Sequence, residues 1–112
     1  MTFPDEGAVY WANLDPVQGH EQSGLRPVLV LQNNILNRSI DTVVIVPLTS
    51  NMKPKGFMST HFLPKKDSLL PYDSIALLFQ IRAIDKRRLN KMAGRISLFH
   101  LMHLRQQLMF VF

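Results

Sequence analysis

Two short apolar runs constrain this chain more than any other feature: PVLVLQ at 27–32 and TVVIVPL at 42–48. Each falls short of the roughly ten residues a buried helix needs, and each is rich in β-branched side chains. Both are therefore expected to be strands covered on their two faces. Pro47 is expected to mark a bulge or an edge, because it offers no N–H to a ladder. AVYWANL (8–14) is a further strand candidate, ended by the turn signal Asp15-Pro16. THFL (60–63) reads as a short strand and SIALLFQIRAI (74–84) as a long one. The polar stretch 49–59, TSNMKPKGFMS, reads as an exposed loop, and 65–74 as a turn or irregular excursion.

The rest reads as helical. DKRRLNKM is expected to form a helical turn or two with Asp85 as N-cap, stopped by Gly94. Ser97 can cap a last helix, LFHLMHLRQQLMFVF. On a helical wheel Leu98, Leu101, Met102, Leu104, Leu108 and Met109 share one face, expected to pack on a sheet or a subunit interface. His100, His103, Gln106 and Gln107 lie opposite, which assigns both histidines to the surface or an interface. Arg105 interrupts the apolar side and is expected to snorkel outward or pair. Five or so short strands and a terminal helix describe a mainly β fold, a small, strongly bent antiparallel barrel in a single domain over 1–112.

Composition narrows the function. With no cysteine, neither a disulfide framework nor a thiolate metal site is available. The four histidines (His20, His61, His100, His103) show no ligand spacing, so neither a metal nor another cofactor is expected. The first residues lack the pattern of a secretory signal, and no run reaches the ~20 apolar residues of a membrane span, so a cytoplasmic protein without a membrane partner is expected. The net charge of +5 favours an acidic partner, nucleic acid above all. Bases cluster too: Lys86, Arg87, Arg88, Lys91, Arg95 and Arg105 follow one another with no acid after Asp85.

One loop carries more chemistry than a turn requires. GHEQSG (19–24) presents His20 and Glu21 and leads into Arg26-Pro27, while Thr49-Ser50 end the run VPLTS. If the strands at 27–32 and 42–48 are antiparallel neighbours, the start of one and the end of the other share a rim. Arg26, Thr49 and the His20/Glu21 loop would then meet there. Pro27 restricts Arg26 to extended geometry, which steadies the origin of its side chain.

These motifs, GAVYWANLDP, GHEQSGLRPVLVLQN, VPLTS and DSIALLFQIRAIDKRRL, resemble the MazF/PemK (Kid) toxin endoribonucleases of type II toxin–antitoxin systems, in the family's order from about Gly7 to Leu89. The resemblance implies a CcdB/PemK-like SH3-type small β-barrel, homodimeric, with the C-terminal helix packed on the sheet. It implies metal-independent cleavage of single-stranded RNA within short sequence motifs, and a cognate antitoxin whose acidic C-terminal segment blocks the RNA groove. In such cleavage the 2′-OH attacks the adjacent phosphorus, leaving a 2′,3′-cyclic phosphate and a 5′-OH.

On this resemblance Arg26 matches the catalytic arginine, and its planar fork suits charge stabilisation at the phosphate. Thr49 matches the catalytic threonine, and Ser50 is a secondary contact. His20 falls where PemK-type members carry histidine and many MazF-type members serine; it serves either proton transfer or RNA contact and loop structure. Glu21 is the alternative base, or a pin between the loop and Arg26. Lys53, Lys55 and Phe57 would border the RNA groove, lysines for phosphates and phenylalanine for stacking.

Gln80 is the amide available for base recognition. Arg82 is expected on the same strand face as Gln80, and to pair with Asp85 for structure. Phe79 is expected in the core, with stacking as the alternative. The sequence departs from the family in two places. Ala8 replaces an acidic residue, a change expected to concern loop structure. Leu77, Leu78 and Phe79 replace the Arg/Asp pair of PemK-type members and the Glu of some MazF-type members, which favours a MazF-style Arg26/Thr49 site. Two other readings stand beside this one: an RNA-binding barrel without turnover, and a CcdB-like gyrase poison.

Overall fold

A computed structural model describes residues 3–14 and 24–111. Among them lie seven strands: β1 (Ala8–Asn13), β2 (Leu25–Val30), β3 (Thr42–Thr49), β4 (Thr60–Leu63), β5 (Ser74–Leu77), β6 (Arg82–Asp85) and β7 (Leu89–Arg95). Two α-helices accompany them, α1 (Asn34–Ser39) and α2 (Leu98–Val111). The turn expected at Asp15-Pro16 lies outside the described residues. No described helix is long and apolar enough to cross a membrane.

β3 is the spine. It pairs with β2, and with two further strands in succession: Thr42–Ile45 with β6, then Leu48–Thr49 with β5. Every pairing is antiparallel, and the order across the sheet is β4-β5-β3-β2-β1-β7. Because β3 changes partner midway, the sheet bends there, which gives the mainly β, strongly bent architecture expected. Pro47 falls between the two sets of partners, where its missing N–H disturbs neither ladder.

The long strand expected over 74–84 is two strands. Leu48 faces Ala76 and Ile45 faces Arg82, so six steps along this segment match three along β3. The extra length is taken up by a 3₁₀ turn, Leu78–Gln80. Gln80 and Arg82 therefore do not alternate along one strand.

Asp85 caps the next turn as expected, accepting from Arg87 N at 2.8 Å, but the turn ends at Arg88. Residues 89–95 form β7 against β1, so Gly94 does not stop a helix: it pairs with Val9 inside a strand. Its place there follows from space. A Cβ at Gly94 would collide with the Ser68 carbonyl oxygen and crowd Leu70. Ala8 opens β1, as the strand expected over 8–14 requires, and is fully buried, so the replacement of an acidic residue there concerns the core and not a loop. The short helix α1 was not expected; Asn33 caps it, accepting from Leu36 N at 2.9 Å.

Ser97 caps α2, its Oγ accepting from His100 N at 3.4 Å. The buried face of α2 differs from the expected one. Leu101 and Leu104 join a core with Leu29, Val46, Leu48, Leu63 and Ala76, while Leu98, Met102 and Met109 are exposed. His100 is buried and His103 exposed. Arg105 pairs with Glu6. A second core, built from Ala12, Leu14, Val28, Val30, Val43, Ile45 and Ile84, fills the space between β1, β2, β3 and β6.

Candidate active site

The β2–β3 ladder ends at the pair Val28–Pro47. Its register, continued by two residues on each strand, leads to Arg26 on β2 and Thr49 on β3, whose own ladder partners are Ala12 and Ile75. Residues opposed in this way project from one face of a sheet. Thr49 in turn faces Ile75 on β5, and Ile75 faces Phe62 on β4. A row of side chains, Arg26–Thr49–Ile75–Phe62, thus crosses four strands. The adjacent row, Leu48–Ala76–His61, points the other way, toward α2. The helix packs on the Leu48 side of the sheet; on the other side Ile75 is fully buried, Thr49 nearly so, and Arg26 and Phe62 are half-buried.

Thr49 closes β3 and is almost buried, at 9% exposure. Its Oγ1 accepts from Asn51 N at 3.1 Å, and Asn51 Oδ1 accepts from Lys53 N at 3.0 Å. These two side-chain turns lead the chain out of the sheet and fix the hydroxyl. Arg26 is half-buried at the start of β2, next to the stem formed by Leu14 N donating to Gly24 O at 2.9 Å. His20 and Glu21, which fall between those stem residues in sequence, lie outside the described residues.

The loop 50–59 is exposed, as expected, but it is not loose. Lys55 N donates to Met52 O and Phe57 N to Pro54 O, and Gly56 takes the left-handed conformation (φ 90°) that glycine accommodates without strain. Thr60 Oγ1 closes the loop by donating to Pro54 O at 2.8 Å. Lys55 folds back so that Nζ lies 4.2 Å from the centroid of the Phe62 ring, a cation–π contact at the far end of the row. Ser50, Lys53 and Phe57 stand exposed nearby along the loop.

Of the remaining predicted residues, Gln80 is half-buried at the end of the 3₁₀ turn. Leu78 N donates to Ser59 O at 3.0 Å, tying that turn to the loop. Phe79, expected in the core, is 52% exposed, and Leu78 takes the buried place instead. Arg82 opens β6 opposite Ile45. Asp85 is engaged by Arg87, which meets both carboxylate oxygens at 3.1 and 3.0 Å and holds the carboxyl down at about 2. Sequence reasoning missed Asn51 and Phe62. The first was recoverable from the tendency of Asn to bond backbone two residues on. The second depended on a register no motif reveals.

Comparison with known proteins is consistent with this geometry. Residues 5–112 match the family model described as PemK-like, MazF-like toxin of type II toxin–antitoxin system. Among solved structures, MazF from Deinococcus radiodurans superposes with a TM-score of 0.84 at 29% identity, covering 99% of this chain and 97% of that one. MazF in a MazE–MazF complex from the same organism gives 0.78 at 29%, covering 99% and 96%. An endoribonuclease bound to its cognate antitoxin, from a mycobacterial species, shares the fold: 0.78 at 22%, covering 96% and 92%.

Proposed function

Since the chain belongs to the PemK-like, MazF-like toxins of type II toxin–antitoxin systems, we propose that it is an endoribonuclease cleaving single-stranded RNA at short sequence motifs. The observation that supports this reading is the β2–β3 register, which continued by two residues on each strand leads to Arg26 and Thr49.

Cleavage by an internal nucleophile asks little of a protein: remove the 2′-OH proton, hold the charge on the phosphorane oxygens, and supply a proton to the departing 5′-oxygen. A guanidinium stays cationic through such a cycle, so Arg26 stabilises charge on the nonbridging oxygens rather than moving protons. Thr49 Oγ1 already accepts from Asn51 N, which leaves its own proton to donate toward phosphate. Its near-burial strengthens that bond, because less water competes for it. Proton transfer falls to His20 or Glu21, which lie between β1 and β2 in sequence.

RNA would run along the front row toward the 50–59 loop, with Lys53 and Lys55 at phosphates, Ser50 beside the reacting one, and Phe57 and the exposed Phe79 stacking on bases. Gln80 and Arg82 would read or hold the nucleotides alongside. The basic balance that suits RNA also suits an acidic antitoxin segment laid over the same face. A homodimer fits the apolar residues that α2 leaves exposed, Leu98, Phe99, Met102, Met109 and Phe110.

The test is incubation of the pure protein with a long single-stranded RNA in EDTA, beside Arg26→Ala and Thr49→Ala. Cuts are mapped by primer extension and their termini identified chemically. Discrete cuts with 5′-OH ends, lost in either variant, are expected. Intact RNA, with protein shown to be folded and free of antitoxin, would overturn the reading in favour of a barrel that binds without turnover.

A further inference from the structure

One side chain ties the back of the sheet to the loop at its front. Gln107 on α2 donates through Nε2 to the carbonyls of Met58, at 2.7 Å, and Thr60. Two backbone acceptors fix the amide, which leaves Oε1 facing His61 Nδ1 at 3.2 Å. His61 Nε2 lies 2.9 Å from His100 Nδ1, and His100 Nε2 lies 3.0 Å from Asp67 Oδ2. The sequence reading had placed His100 and Gln107 on the outer side of the helix.

The chain sets a requirement on the ring protons. Both ends accept, since an amide oxygen and a carboxylate have no proton to give. His61 Nδ1 and His100 Nε2 must each carry one, and the contact between the rings needs one more. Completing the chain takes three ring protons shared between the two imidazoles. Burial lowers the pKa of His61 below its ordinary 6.5; the Gln107 bond opposes this, and His100 and His103 reinforce it. The titratable groups around the pair are Asp67, from the turn after β4, and His103.

We propose that Asp67, His100, His61 and Gln107 form a positioning relay that anchors the 50–59 loop to α2 and thereby sets how tightly RNA is held. The proposal rests on the endoribonuclease reading for its substrate. His61 belongs to the row facing α2, and Gln107 reaches the loop only at Met58 and Thr60, so the relay acts on affinity and leaves the Arg26–Thr49 chemistry alone.

Gln107→Met keeps the length of the side chain and removes both donors; His61→Gln is the second variant. Two readouts are needed: amide hydrogen exchange at Lys55, Phe57 and Thr60, which requires no RNA, and kcat and KM on an RNA substrate. In both variants loop exchange is expected to rise about tenfold, and KM to rise about fivefold to tenfold with kcat within about twofold. Unchanged loop exchange in both folded variants, or a fall in kcat at constant KM, overturns the relay. Should the wild type cut no RNA, the endoribonuclease reading fails by itself, and exchange alone decides whether the relay holds the loop.

Discussion

The backbone N–H of Asn51 donates to Thr49 Oγ1 at 3.1 Å, so the last hydroxyl of β3 is aimed by the first residues of the loop that follows it. The hydroxyl and the loop are one unit, so removing the oxygen removes a loop contact together with the donor, and Thr49→Ser serves as the control that keeps both.

Thr49→Val keeps the branched side chain and removes the oxygen. Single-turnover cleavage is expected to slow by about 100-fold or more, the usual cost of deleting a donor at a developing oxyanion. Thr49→Ser keeps the oxygen and is expected to stay within about tenfold. Equal rates in the two variants would remove Thr49 from the site.

Lys55 stands over Phe62 at the end of the front row and is assigned to a phosphate. Lys55→Ala is expected to weaken RNA binding uniformly across sequences and to reduce the salt slope of log K by about 0.7, one phosphate's worth. Titration at several salt concentrations measures both.

Gly94→Ala places a methyl group against the Ser68 carbonyl, which already accepts from Arg95 N at 3.0 Å and cannot retreat freely. Destabilisation of about 1–3 kcal/mol is expected, typical of overpacking, with a Tm drop on the order of 10 °C. Urea and thermal unfolding check it.

Asp85 gives a pH signature. The Arg87 side chain and then its N–H hold this carboxyl at about 2, against an ordinary 3.8. On lowering the pH the unfolded chain takes the proton first, so the stability Asp85 contributes is complete above about pH 4 and fades as the pH falls toward 2. The stability gap between the wild type and Asp85→Asn is expected to be flat near neutrality and to close across that acid range.

Much of this architecture was legible in the residues. The runs at 8–14, 27–32, 42–48 and 60–63 carry their own strand signal, and Asp85 and Ser97 cap where capping chemistry says they should. The misreadings share a cause: partners distant in sequence. Nothing local in SIALLFQIRAI shows that β3 will change neighbours beside it. LNKMAGR becomes a strand because β1 offers an edge. Apolar residues surround α2 on every side, so its periodicity did not reveal the buried face, and the burial of His100 depended on Asp67, thirty-three positions away. Arg26 and Thr49 were found through a resemblance and placed by a register; His20 and Glu21 remain assigned by resemblance alone.

The interruption at Pro47 has a consequence for how such a molecule can diversify. The 3₁₀ turn carrying Phe79 and Gln80 fills a gap between two independent ladders, and so does not interrupt a continuous one. Leu78 anchors that turn in the core, while the exposed Phe79 stands where its replacement touches neither the β3–β5 nor the β3–β6 pairing. The side chain at 79 and the residues at 26 and 49 are thus free to vary independently, separated by a proline.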